Sequence, residues 1–152
     1  MGASHGATAD RPRRVFNNIF VHSEKLPPFS VAATGDVQSD GNLFWQPNLA
    51  ANQAADFFKV FRTSKAFADS QRVYAPGFDA QSLVVDPKFI RSELTPLSVN
   101  DYRLHPDSPA VNAGVAIPDD WPDPVRSLDP GRPDIGAVPV GLEPFRVGRT
   151  AR

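Results

Sequence analysis

The chain has 152 residues, 16 Lys and Arg against 17 Asp and Glu, and no cysteine. That length makes one domain with room for a core, while a net charge of −1 gives no basic field for a nucleic acid or an anionic membrane. The missing thiols exclude disulfides, thiolate metal sites and a cysteine nucleophile. Proline is the outlier: 16 residues, about twice the usual share, point to short strands joined by many turns.

Taken in chain order, residues 1–13 are small and polar and predict a disordered arm without the apolar stretch of a signal peptide. "RVFNNIFVH" (14–22) alternates as a strand, with Val15, Ile19 and Val21 on one face and Phe16 and Phe20 on the other. Pro27 and Pro28 make 23–30 a loop. "TGDVQSDGN" (34–42) is dense in turn residues, and "LFWQ" (43–46) leaves it as a strand. Residues 52–74 are the helical region, with Ala54, Phe57, Phe58 and Phe61 at helical spacing. Core packing is the first reading of these rings and an exposed binding stripe the second. Thr63 or Ser64 can cap a second segment, so one long helix and two short ones both fit.

Beyond the helical region, "APGFD" (75–79) is a turn and "QSLVVDPKFI" (81–90) a strand interrupted at Asp86 and Pro87. "DYRLHPDSPAVNAG" (101–114) reads as a strand with Tyr102 and Leu104 turned inward. A short helix then follows, capped by Ser108, with Pro109 at its first position and Gly114 as the left-handed residue at its end. An Asp/Pro-rich loop (117–134), a last strand (135–141) and a flexible tail (142–152) complete the chain. Short strands with long connections suggest rungs of a solenoid, each burying its face only against a neighbour. No apolar run approaches the roughly 18 residues of a membrane-spanning helix, so no membrane insertion is expected.

Five stretches in order, "NNIFVH" (17–22), "SDGNLFW" (39–45), "GFDAQSLVVDPKF" (77–89), "DYRLHPDSPAVNAG" (101–114) and "GRPDIGAV" (131–138), resemble the C-terminal end of right-handed parallel β-helix proteins of the pectate-lyase-like superfamily. The resemblance spans about residues 14–140. It implies a mainly β fold: a few-rung right-handed parallel β-helix forming a solenoid end, with a short helical insert near 52–74 and long loops. It further implies an extracellular or periplasmic bacterial protein and a polysaccharide or oligosaccharide partner. With room for only a few rungs, the chain reads as a terminal segment of a longer solenoid, and an exposed edge above Val15 would favour self-association.

The candidate chemistry follows from residue types. A β-helix lyase needs a base and a cation beside a uronate, and a hydrolase needs convergent carboxylates. The acids on the strands and turns are Asp36, Asp40, Asp79 and Asp86, and the nearest bases are His22, Lys25 and Lys88. No spacing forces them together, so no catalytic residue is assigned. Asp40, Asp79 and Asp86 read first as turn residues, and His22 and His105 as solvent-facing strand ends. Trp45 and Trp121, with Asp40 and Asp79, are the candidate carbohydrate contacts, although anchoring in core or loop is the competing reading for each tryptophan. Asp119, Asp120 and Asp123 lie in the acidic loop and are the candidate metal ligands. Ca²⁺ is the one cofactor they admit, although the spacing matches no standard calcium loop.

Three functions remain open on these residues. The first is a non-catalytic capping segment of a β-helix protein related to polysaccharide lyases and glycoside hydrolases. The second is a carbohydrate-binding or surface-interaction module. The third is a small lyase or hydrolase complete in itself.

Overall fold

A computed structural model describes residues 12–22, 37–47, 51–93 and 99–143, with residues 51–54 described by backbone alone. The arm up to residue 11, the loop at 23–30, His5, Lys25, Asp36, the Ala54 side chain and the tail from 144 lie outside the described residues.

The alternating stretch at 14–22 is two strands, not one. β1 (Arg13–Phe16) and β2 (Ile19–Val21) are separated by Asn17, whose φ of 57° turns the chain. Asn tolerates this left-handed conformation better than the apolar residues around it. β3 (Val37–Asp40) and β4 (Leu43–Trp45) repeat the arrangement around Gly41, at φ 64°. β3 thus occupies a stretch whose composition reads as turn. Val37 and Ser39, two apart on the strand, share one face and both are buried, and Asp40 after them is buried as well.

Two helices follow, α1 (Ala51–Arg62) and α2 (Lys65–Ser70). The Ser64 side chain accepts the Phe67 N–H and caps α2, which breaks the helical region in two. Phe58 is buried and stacks on Phe44 at 4.9 Å, while Phe61 meets Phe58 and Phe67 edge-on. The helical phenylalanines therefore pin the helices onto β4.

β5 (Leu83–Val84) and β6 (Phe89–Arg91) flank the Asp86–Pro87 break, and β7 (Asp101–Leu104) is the last strand. β1 pairs with β3 and β2 with β4, both in parallel, and β4 pairs in parallel with β5. β6 and β7 are antiparallel, with an irregular register.

The expected right-handed parallel β-helix is therefore corrected. Strands of two to four residues form three separate small sheets, one of them antiparallel, and two helices intervene between β4 and β5. The pairing offset of 24 residues between β2 and β4 becomes 40 between β4 and β5, so no repeating rung is built. Asn17 and Gly41 end β1 and β3, and Pro47, Pro87 and Pro106 follow closely on β4, β5 and β7.

Residues 108–114 and 135–141 likewise form turns and bends rather than a helix and a strand. Ser108 does accept the Ala110 N–H, but its hydroxyl also donates to the Pro87 carbonyl, and Asn112 at φ 51° turns the chain early. The main apolar core gathers Leu43, Leu104, Ala110 and Ile135, with Ile19, Trp45 and Phe89 packed around it. Each of the larger fully buried side chains contributes about 1.5–3 kcal/mol. Among the described residues no helix is long and apolar enough to cross a membrane.

Candidate functional site

Asp40 and Asp79 come together at a buried corner where 39–42 lies against 79–82. Asp40 is fully buried and accepts the Gly41 and Gln81 main-chain N–H groups at 2.9 and 2.7 Å and the Gln81 side-chain amide at 3.1 Å. Asp79 accepts the Ser82 and Ser39 hydroxyls at 2.8 and 3.2 Å and the Asn42 amide at 2.9 Å. Burial raises the Asp79 carboxyl above its ordinary range against those three donors, and the Asp40 charge adds to the rise. Burial also pushes the Tyr74 phenol up to about 12, helped by the Asp40 charge and their mutual hydrogen bond. Arg62 at the end of α1 closes the corner by donating to the Asp79 and Ser82 carbonyls. Both buried carboxylates hydrogen-bond to groups of the protein itself.

Trp45 belongs to the core, edge-on to Phe89 at 6.4 Å. Trp121 is half-buried beneath the Arg14 guanidinium, 5.1 Å from its ring centre. Asp86 is exposed and accepts the Lys88 N–H. His22 is half-buried, with Nε2 buried and without a hydrogen-bond partner among the described residues, so it is not the solvent-facing strand end expected. His105 is exposed and bonds Asp107, which Lys88 also meets at 2.9 Å.

Of the candidate metal ligands, Asp119 and Asp123 share the Arg126 guanidinium. Asp119 pairs with Arg126 at 2.6 Å, Asp123 accepts the Val125 N–H at 3.1 Å, and Asp120 is exposed. Among the described residues no group of three or more His, Cys, Asp or Glu side chains is arranged to hold a metal ion. The acidic loop uses its carboxylates as clamps on its own backbone. Asp129 accepts the Asp134 N–H, and Asp134 accepts those of Asn112 and Val140. Arg132 donates to the Ala113 and Gly114 carbonyls from the same loop.

That clamped loop forms one wall of a groove of about 1090 Å³. The opposite wall is β2, β6 and β7, with Ile19, Val21, Phe89, Tyr102 and Leu104 along it. Asn17 ties the walls together: its side-chain amide exchanges hydrogen bonds with the Val115 main chain at 2.8 and 2.9 Å, and its carbonyl accepts the Gly136 N–H. Gly114 passes so close to Asn17 that an added Cβ would lie 2.8 Å from the amide oxygen. Gly114 is thus kept for close approach, not for the left-handed conformation expected of it.

On the groove wall Arg103 grips Asp101 through Nε and Nη2 at 3.0 and 2.7 Å. The Arg103 guanidinium and main-chain N–H hold the Asp101 carboxyl below its usual range, and that carboxylate in turn raises the arginine. Tyr102 stands 60% exposed, steadied edge-on by Phe89 at 5.3 Å, and is not the inward residue expected. Of the residues singled out from the sequence as candidates, only Asp119 and Asp123 line this groove. The Asp101–Arg103 spacing of two on one strand places both on the same face and signals the fork. Asn17 and Asn18 inside an apolar alternation signal the corner. Nothing local announces that loop 117–134 faces β7.

No family model matches the chain, and no curated protein or solved structure matches it.

Proposed function

We propose that the chain is a binding module, not an enzyme in itself, and that its groove takes an oligosaccharide. The observation that carries this reading is an open groove whose lining includes both the exposed Tyr102 ring and the Asp101–Arg103 fork. A pyranose ring offers an apolar face to an aromatic side chain and a rim of hydroxyls to paired donors and acceptors. Asn18, Asn100, Asp101 and Arg103 supply such groups along the same groove.

The acids argue against catalysis. A general acid needs a carboxyl raised toward neutrality and open to substrate. The carboxyl whose range is raised here is that of Asp79, 3% exposed and enclosed by Ser39, Asn42 and Ser82. In the groove, Asp101 is held down by Arg103, and Asp119 meets Arg126. A solenoid cap would need a stacked solenoid to close, which three small sheets do not provide.

Titrating the ¹⁵N-labelled full chain with a panel of neutral, uronate-containing and amine-bearing oligosaccharides tests the reading. At least one glycan class should shift the amide signals of Tyr102, Arg103 and Arg126, and Tyr102→Ala should abolish the shifts while leaving the rest of the spectrum folded. A flat response across all three classes, or hydrolysis or elimination of any of them, overturns it.

A further inference from the structure

We infer that the oligosaccharide this groove selects is cationic, an amino-sugar oligomer with free ammonium groups. The inference rests on the binding-module reading and adds the charge of the ligand. Five aspartates line the groove, at 101, 119, 123, 129 and 134, against two arginines, 103 and 126, so the lining carries a formal charge of 2 − 5 = −3.

Neither arginine is available to an anion. Arg103 is forked onto Asp101 and also reaches Glu143 at 3.3 Å, a further carboxylate beyond the lining. Arg126 lies between two acids, 2.6 Å from Asp119 and 3.8 Å from Asp123, one cation for two carboxylates. A uronate would have to compete with these carboxylates for the arginines and sit in a negative field. An ammonium group meets the opposite situation. Asp119 is fully exposed at its side chain, so a cation can approach it without desolvating the groove. The exposed Tyr102 face attracts positive charge through its π system, and the same ring supplies the stacking surface for the sugar. A neutral or N-acetylated sugar keeps the stacking and loses the charge.

The deciding experiment measures affinity by calorimetry at pH 6 in low salt. The ligands are a glucosamine hexamer, its N-acetylated counterpart, a neutral glucose hexamer, a uronate hexamer and a hexalysine peptide. The glucosamine hexamer should bind about tenfold more tightly than either uncharged hexamer, with the advantage shrinking as salt rises from 20 to 200 mM. Asp119→Asn should weaken it severalfold, whereas Asp69→Asn, on α2 and away from the groove, should leave it unchanged. Equal binding of the uncharged hexamers, or tighter binding of the uronate, overturns the charge inference while leaving the binding-module reading intact. Tighter binding of hexalysine overturns the sugar as ligand. Absence of binding by every glycan overturns both readings.

Discussion

Two groups of aspartates sit in similar sequence surroundings and meet opposite ends. Asp40 ends β3 beside Gly41 and Asp79 stands in a turn beside Ala80, and both become buried acceptors for hydroxyls and amides. Asp101, Asp119 and Asp123 stand in equally polar stretches and line the groove, each of them paired with arginine. What separates them is what lies over the turn. Arg62 at the end of α1 and Tyr74 just beyond α2 reach the first group, whereas the Asp119 side chain in the second stands open to solvent. Burial converts a carboxylate into a structural part whose loss is expensive, and exposure keeps it free for a partner.

The sharpest way to break this contrast is to remove a donor from the buried corner. Asn42 is fully buried, donates to Val15, Ser39 and Asp79, and accepts from Asn18. Asn42→Ala strips a donor from an already strained carboxylate and orphans a main-chain carbonyl, at a cost of about 3–4 kcal/mol. Urea unfolding followed by circular dichroism checks it, and a loss under about 1 kcal/mol would show the corner to be wet and replaceable.

Close approach gives the next effect. Gly114→Ala drives a Cβ to 2.8 Å from both the Asn17 amide oxygen and the Pro133 carbonyl. Because Asn17 holds the Val115 main chain there, neither neighbour gives cheaply, and about 2 kcal/mol of destabilisation follows. The same unfolding measurement checks it, and groove amides should shift in the variant even before ligand is added.

The pH dependence of the corner follows with a definite sign. Asp79 titrates higher in the folded chain than the 3.8 of a free carboxylate. The folded state therefore binds the proton more tightly than the unfolded one. Stability contributed by Asp79 is present below the unfolded value and is lost as pH rises through the folded value. Stability measured from pH 7 down toward 4 should thus improve for the wild type relative to Asp79→Asn, which has no proton to take up. Parallel curves for the two proteins across that window would show that Asp79 is not raised.

How far these differences can be read in advance depends on the distance over which they are set. The cap at Ser64 and the break at Pro87 follow from one or two residues and their allowed conformations and are read in advance. The split of 52–74 into two helices is of this kind, and so is the packing role of Phe58. The turn at Asn17, equally local, is hidden by the apolar alternation around it. β3 escapes notice because two of its three buried residues are Ser39 and Asp40, polar side chains that a corner formed 40 residues later makes tolerable. The family-like order of motifs suggests a solenoid because each motif alone fits a rung. Only the pairing offsets, 24 and then 40, show that no repeat is built. The groove is the extreme case, since it depends on Asn17 holding Val115 across 98 residues.

The smallest effect on stability is expected where the contrast predicts none. Arg103 and Asp101 form a fork that looks strong in geometry, at 2.7 and 3.0 Å, yet both side chains stay in reach of water and of counter-ions. Desolvation, the term that makes the buried corner costly to disturb, is nearly absent here, and salt screens what remains. Arg103→Ala should leave the melting temperature unchanged within measurement error. It frees Asp101 from its partner, so the carboxyl should rise toward the ordinary range, a change that NMR titration of the Asp101 side chain reads directly. If instead Arg103→Ala melted the chain as readily as Asn42→Ala, the fork would belong to the structural group, and the groove wall would have to be counted as core.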